Sequence, residues 1–122
     1  MGCGQSIDVE AILAPTILTF YLTDEQLRSF AEILKPRTFR RGEALFHQEG
    51  KGNMFFVVVS GEVDVFVNGM HLCTKRTSDF LGCMSLDGDV KFLTSAIART
   101  PALCLELPPD RLRLWLQRHP EA

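Results

Sequence analysis

The sequence predicts an α+β, mainly β domain: a closed or rolled sheet of short strands flanked by helices at its amino and carboxyl ends. Three observations carry that expectation. Gly42, Gly50, Gly52 and Gly61 punctuate short apolar runs between Arg37 and Leu107, and many short strands at such spacing suggest a closed or rolled sheet. Val63, Val65 and Val67 alternate with Glu62, Asp64 and Phe66, the period of a strand with one buried face. Helical periodicity is confined to the two ends of the chain.

The elements follow in order. Ser6–Ala14 carries Ile7, Val9, Ile12 and Leu13 among acids and reads as a short helix ending before Pro15. Thr23-Asp24-Glu25-Gln26 forms a capping box, in which Thr23 and Gln26 satisfy each other's backbone donors. Leu27, Phe30, Ala31 and Leu34 continue at helical spacing, and Pro36 is expected to close that helix. Strands are expected at Ala44–His47, Met54–Ser60, Val63–Val67, His71–Thr74, Ala96–Ala98 and Ala102–Leu107. Asn68-Gly69 between two of them is a hairpin signal, because both residues accept positive φ. A last helix over Pro108–Arg118 carries Leu112, Trp115 and Leu116, with Pro109 in its first turn. Trp115 reads as a core anchor.

Composition narrows the function classes. Of 122 residues, 46% are apolar and 23% charged, and the net charge is −2. That is the balance of a globular domain, without the basic excess of a general nucleic-acid binder. The longest apolar run, Met54–Val59, is far below the ~20 residues of a membrane span, and no secretory signal is expected.

Attachment by lipid is a separate matter. The chain opens Met1-Gly2-Cys3-Gly4-Gln5-Ser6, which fits M-G-x-x-x-[ST], the pattern for myristate on Gly2. Cys3 beside it suits a second chain, palmitate. One acyl chain holds a protein only marginally, whereas two make the attachment durable. The expectation is a lipid-anchored protein on the cytoplasmic face of a membrane, with residues 1–22 as an acylated segment and 23–122 as the folded domain. Lys35, Arg37, Arg40 and Arg41 form a basic run, read as a solvated loop that could add to attraction for anionic lipid.

Other chemistry has weaker support. Cys73, Cys83 and Cys104 occur without C-x-x-C pairing and read as small apolar fillers on strands. His47, Glu49 and His71 lack the H-x-H pair of a cupin-type metal site, so no metal is expected. No G-x-S-x-G elbow occurs, and no enzyme activity is expected.

The stretch FRRGEALFHQEGKGNMFFVVVSGEVDVFVNG resembles the front half of a cyclic nucleotide-binding domain, as found in kinase regulatory subunits and bacterial regulators. The likeness runs from Thr23 through DFLGCMSL to LELPPDRLRLWLQRHPEA, with glycines 42, 50, 61 and 82 at the family's turn positions. It implies a phosphate-binding cassette after Phe80-Leu81-Gly82, where a short helix aims amide groups at a cyclic phosphate. In the family, a glutamate just after the glycine takes the ribose hydroxyl, and an arginine further on pairs with the phosphate. Here Cys83 stands at the glutamate position, and the arginine position falls at Phe92 or Leu93. A thiol bonds weakly, and neither Phe nor Leu carries charge. Lys91 is the one cation of the segment, while Asp87 and Asp89 would repel a phosphate.

The resemblance thus implies an eight-stranded, jelly-roll-like roll with a candidate pocket at Gly82, Cys83, Met84, Ser85, Lys91, Thr94 and Ser95, while the amino-terminal motif marks Gly2 and Cys3 as lipidation sites. It implies no obligate cofactor, a cyclic nucleotide or nucleoside as the possible ligand, and a kinase or other effector as partner. The family's lid helix is expected to begin at Ala122 and so to be absent here. The favoured expectation is a non-enzymatic, membrane-tethered regulatory or adaptor module with weak or no cAMP or cGMP binding. The alternative is a working cyclic nucleotide sensor that relies on Lys91.

Overall fold

A computed structural model of the chain describes residues 9–16, 21–50, 54–82 and 91–120. These form α1 (Val9–Leu13), α2 (Asp24–Ala31), β1 (Lys35–Phe39), β2 (Ala44–Phe46), β3 (Phe55–Ser60), β4 (Val63–Val67), β5 (Met70–Lys75), β6 (Phe80–Gly82), β7 (Ser95–Ala98), β8 (Ala102–Leu107) and α3 (Pro109–Arg118). The strands make two antiparallel four-stranded sheets, ordered β1-β8-β3-β6 and β2-β7-β4-β5. The expected mainly β roll with terminal helices is the fold observed.

The apolar residues divide by strand face. Phe56 and Val58 of β3 turn inward and join Phe39, Phe46, Val63, Leu81, Ala96 and Cys104 between the sheets. Val57 of the same strand turns outward with Leu105 and Leu107, where Leu13, Leu27, Phe30, Leu34 and Trp115 cover it. A continuous apolar strand is what burial on both faces requires. Trp115 meets Phe30 edge-on at 5.4 Å and donates its Nε1 hydrogen to Ser29 Oγ at 3.1 Å, which satisfies its one polar atom. The core-anchor expectation holds.

Local signals perform as their chemistry dictates. Thr23 Oγ1 accepts from Gln26 N at 3.1 Å and Thr23 N donates to Gln26 Oε1 at 2.9 Å, closing the capping box. Asn68 and Gly69 take φ of 52° and 80°, joining β4 to β5 in a two-residue turn.

Two expectations are corrected. The helix from Asp24 does not run on to Pro36 but ends at Ala31, and Lys35–Phe39 is a strand. Pro36 is tolerated there because β1 is the edge of its sheet, paired only with β8. The basic run is consequently not one loop. Arg37 lies on β1 and pairs with Glu106 of β8 at 2.8 Å, whereas Arg40 and Arg41 sit in the turn that follows.

Two side chains, Cys104 of β8 in the inter-sheet core and Asp64 of β4 in the second sheet, behave differently. Cys104 is fully buried, and burial pushes its thiol up to about 11, so it stays protonated and serves as an apolar filler. On the outer face, burial raises the Asp64 carboxyl, but bonds from Thr74 Oγ1 at 2.7 Å and His71 Nε2 at 3.1 Å, with Arg99 at 4.0 Å, outweigh it. The net effect holds Asp64 below its ordinary value of 3.8. A value depressed on folding contributes stability above the unfolded value, which is lost as pH falls through the folded one. Asp64→Asn is therefore expected to be less stable than the parent at neutral pH, with the gap closing below about pH 4. Thermal melts of both proteins across that range check this; a gap that stays constant would refute it.

Candidate functional site

The register of the sheets sorts the turns. Phe39 faces Ala102, Ser60 faces Leu103, and Val63 faces both Lys75 and Ala98. The β1–β2, β3–β4, β5–β6 and β7–β8 turns therefore gather at one end of the roll. The β2–β3, β4–β5 and β6–β7 connections gather at the other, and the described candidate pocket residues, Gly82, Lys91, Thr94 and Ser95, belong to that second end.

Gly82 closes β6 opposite Phe55 with φ of 112°. A Cβ added there would meet Met54 O at 2.3 Å and Phe55 Cα at 3.2 Å. The glycine position implied by the resemblance thus has a physical basis: β6 approaches β3 too closely for any side chain, in a conformation that L-residues avoid. Ser95 opens β7, and its Oγ accepts from Gln48 N at 2.7 Å. Thr94 precedes it, half-buried, and Lys91 is exposed. Cys83, Met84 and Ser85 lie outside the described residues, as do the lipidation positions Gly2 and Cys3.

The two residues at which the resemblance expects an arginine differ in burial. Leu93 is 77% exposed, while Phe92 is buried and stacks on Phe46 with ring centroids 4.3 Å apart. The Phe92 backbone is clasped as well: Glu49 N donates to its carbonyl at 2.8 Å, and its own N–H donates to Gly50 O at 3.1 Å. An aromatic ring anchored in the inter-sheet core supplies volume and no charge.

Sequence reasoning missed Gln48. Its side chain accepts from Asn68 N at 2.8 Å and donates to Asn68 Oδ1 at 3.0 Å, while its backbone holds Ser95. One residue therefore joins all three connections at this end. No spacing signals this, because a polar residue after a short strand is what any turn carries.

The histidines behave as ordinary polar residues. His71 lies 3.1 Å from both Asp64 Oδ1 and Thr74 Oγ1, and His47 is exposed. Among the described residues no three His, Cys, Asp or Glu side chains are placed to hold a metal ion. No described helix is long and apolar enough to cross a membrane.

Comparison with known proteins accords with this architecture. The family model of the cyclic nucleotide-binding domain matches residues 36–119. The transcriptional activator protein anr of Pseudomonas aeruginosa is 31% identical over 110 residues, covering 82% of this chain and 43% of that protein. A cGMP-dependent protein kinase of Plasmodium berghei is 26% identical over 89 residues, covering 73% of this chain and 10% of the kinase. The chain thus spans less than half the length of these curated relatives. The crystal structure of the N-terminal domain of a Streptomyces coelicolor transcriptional regulator superposes with a TM-score of 0.80 at 27% identity, covering 90% of this chain and 82% of that one. By the extent of the family match and the register of its two sheets, the chain belongs to the cyclic nucleotide-binding domain family.

Proposed function

We propose that the chain is a non-enzymatic regulatory or adaptor module, tethered to a membrane through Gly2 and Cys3, whose pocket binds cAMP and cGMP weakly or not at all. One observation carries the pocket reading. Neither residue at which the arginine is expected can take its role: Phe92 is 5% exposed and committed to a stack on Phe46, and Leu93 carries no charge. Cys83 in place of the ribose-binding glutamate removes a second charge. Losing one partner of a buried, hydrogen-bonded charge pair costs about 2–5 kcal/mol, roughly thirtyfold to several thousandfold in affinity. Gly82, Ser95, Thr94 and the backbone near them remain to receive a neutral group or nothing.

Its relatives include a transcriptional activator and a cyclic-nucleotide-dependent kinase. A protein effector such as a kinase is accordingly the proposed partner, on the cytoplasmic face of a membrane. Calorimetric titration with cAMP and cGMP is expected to yield no binding at micromolar concentrations; micromolar or tighter affinity sinks the pocket reading. Intact-mass measurement of protein from its native cells tests the tether. Loss of Met1 with added acyl mass supports it, and an unmodified amino terminus ends it.

A further inference from the structure

The end of the roll opposite the candidate pocket carries a basic hollow. The β1–β2 turn and Pro101 of the β7–β8 turn enclose an open concavity of about 790 Å³, lined by Thr38, Phe39, Arg40, Arg41 and Glu43. Glu43 does not neutralise it by pairing with a guanidinium, because its Oε1 accepts the backbone N–H of Arg40 at 2.9 Å. Two further described acids of this end have partners of their own. Glu62 takes Arg76 Nε at 2.9 Å, and Asp79 takes the Arg76 backbone N–H at 2.8 Å. The guanidinium groups of Arg40 and Arg41 have no ion pair among the described residues, and both residues are exposed.

The amino-terminal helix arrives at this same end. Ser78, in the β5–β6 turn, donates its hydroxyl hydrogen to the carbonyl of Ile12 at 2.6 Å, and Leu13 is buried against Val57 and Leu105. The chain between Gly2 and Val9 can reach at most about 25 Å. An acyl chain on Gly2 is therefore within reach of a bilayer on the side of the molecule that presents Arg40 and Arg41.

From this we infer that the β1–β2/β7–β8 end is a docking face for an anionic membrane surface, with Arg40 and Arg41 receiving lipid phosphates or carboxylates in the hollow. The inference rests on the tether reading above for its orientation, and adds the face and the residues that meet the headgroups. Arginine suits this role because its planar fork engages phosphate and carboxylate oxygens in pairs. The opposite end, with Gln48, Gly82 and Ser95, then faces away from the membrane.

The test uses the full chain carrying myristate on Gly2, sedimented with vesicles of phosphatidylcholine alone or of phosphatidylcholine mixed with phosphatidylserine. The parent is expected to prefer the mixed vesicles, and added salt should erase that preference through screening. Arg40→Ala with Arg41→Ala is expected to weaken binding to mixed vesicles roughly thirtyfold and to leave binding to phosphatidylcholine alone unchanged. Thermal melting of this double variant should match the parent, since neither guanidinium has an ion-pair partner among the described residues. Equal binding of parent and double variant to mixed vesicles overturns the inference. So does saturable binding of a phosphorylated peptide that depends on Arg40 and Arg41 while the two vesicle types bind alike, because the hollow then serves a protein. The tether is read separately, by Gly2→Ala on phosphatidylcholine alone. If Gly2→Ala binds as the parent does there, the tether reading fails, while an arginine-dependent preference for mixed vesicles still supports the docking face.

Discussion

Phe56→Ala is expected to cost about 3–5 kcal/mol of stability. Phe56 is 1% exposed and joins three rings in the inter-sheet core, lying 5.9 Å from Phe39 and 6.2 Å from Phe46, which in turn stacks on Phe92. Its removal leaves a void that a sheet held on both faces cannot collapse to fill. Because a domain's whole stability is about 5–15 kcal/mol, the variant should unfold at much lower denaturant. The exposed Leu114 of α3 provides the contrast, and its alanine variant should stay within about 0.5 kcal/mol of the parent. Urea melts compare the three proteins. A Phe56→Ala cost below about 1 kcal/mol would mean that the core is not built around this ring.

Gly82→Ala is expected to cost roughly 2–5 kcal/mol, by summing backbone strain and overpacking. The added Cβ meets the Met54 carbonyl oxygen at 2.3 Å, and neither backbone is the flexible end of a side chain. The strain can be relieved only by lifting β6 away from β3. Loss of protection should then concentrate at the Gly82↔Phe55 and Leu81↔Phe56 pairs in amide hydrogen exchange. The β4–β5 hairpin, in the other sheet, should keep its protection. Uniform exchange across both sheets would contradict this account.

These two sites also divide what was legible in the sequence from what was not. Signals that act within a few residues read correctly. Thr23 with Gln26 made the helix start, and Asn68-Gly69 made the hairpin, because capping and positive φ are local chemistry. The strand at Lys35–Phe39 did not read, since its partner is β8, far along the chain, and Pro36 looks like a helix terminator until the edge position is known. The candidate site divides in the same way. Gly82 was visible through the family resemblance, and the burial of Phe92 was not, because an aromatic in a connecting segment has no periodicity to announce which way it turns. Gln48 and the separation of the basic run into Arg37, paired with Glu106, and the turn that carries Arg40 and Arg41 both depend on neighbours that only the register of the sheets brings together.

The double burial of β3 bears on how the chain reaches this state during synthesis. Five successive apolar residues, Phe55–Val59, lie in that strand, and most of its ladder is made with β8, which leaves the ribosome well after it. Until then the strand waits with both faces and one edge uncovered, the kind of short, uncharged, proline-free segment that pairs readily with copies of itself. Non-local pairings of this sort are also slow to form. The nascent domain is therefore most exposed to misassociation in the interval before Leu107 emerges, a hazard set by the order of the strands along the chain rather than by the stability of the finished fold.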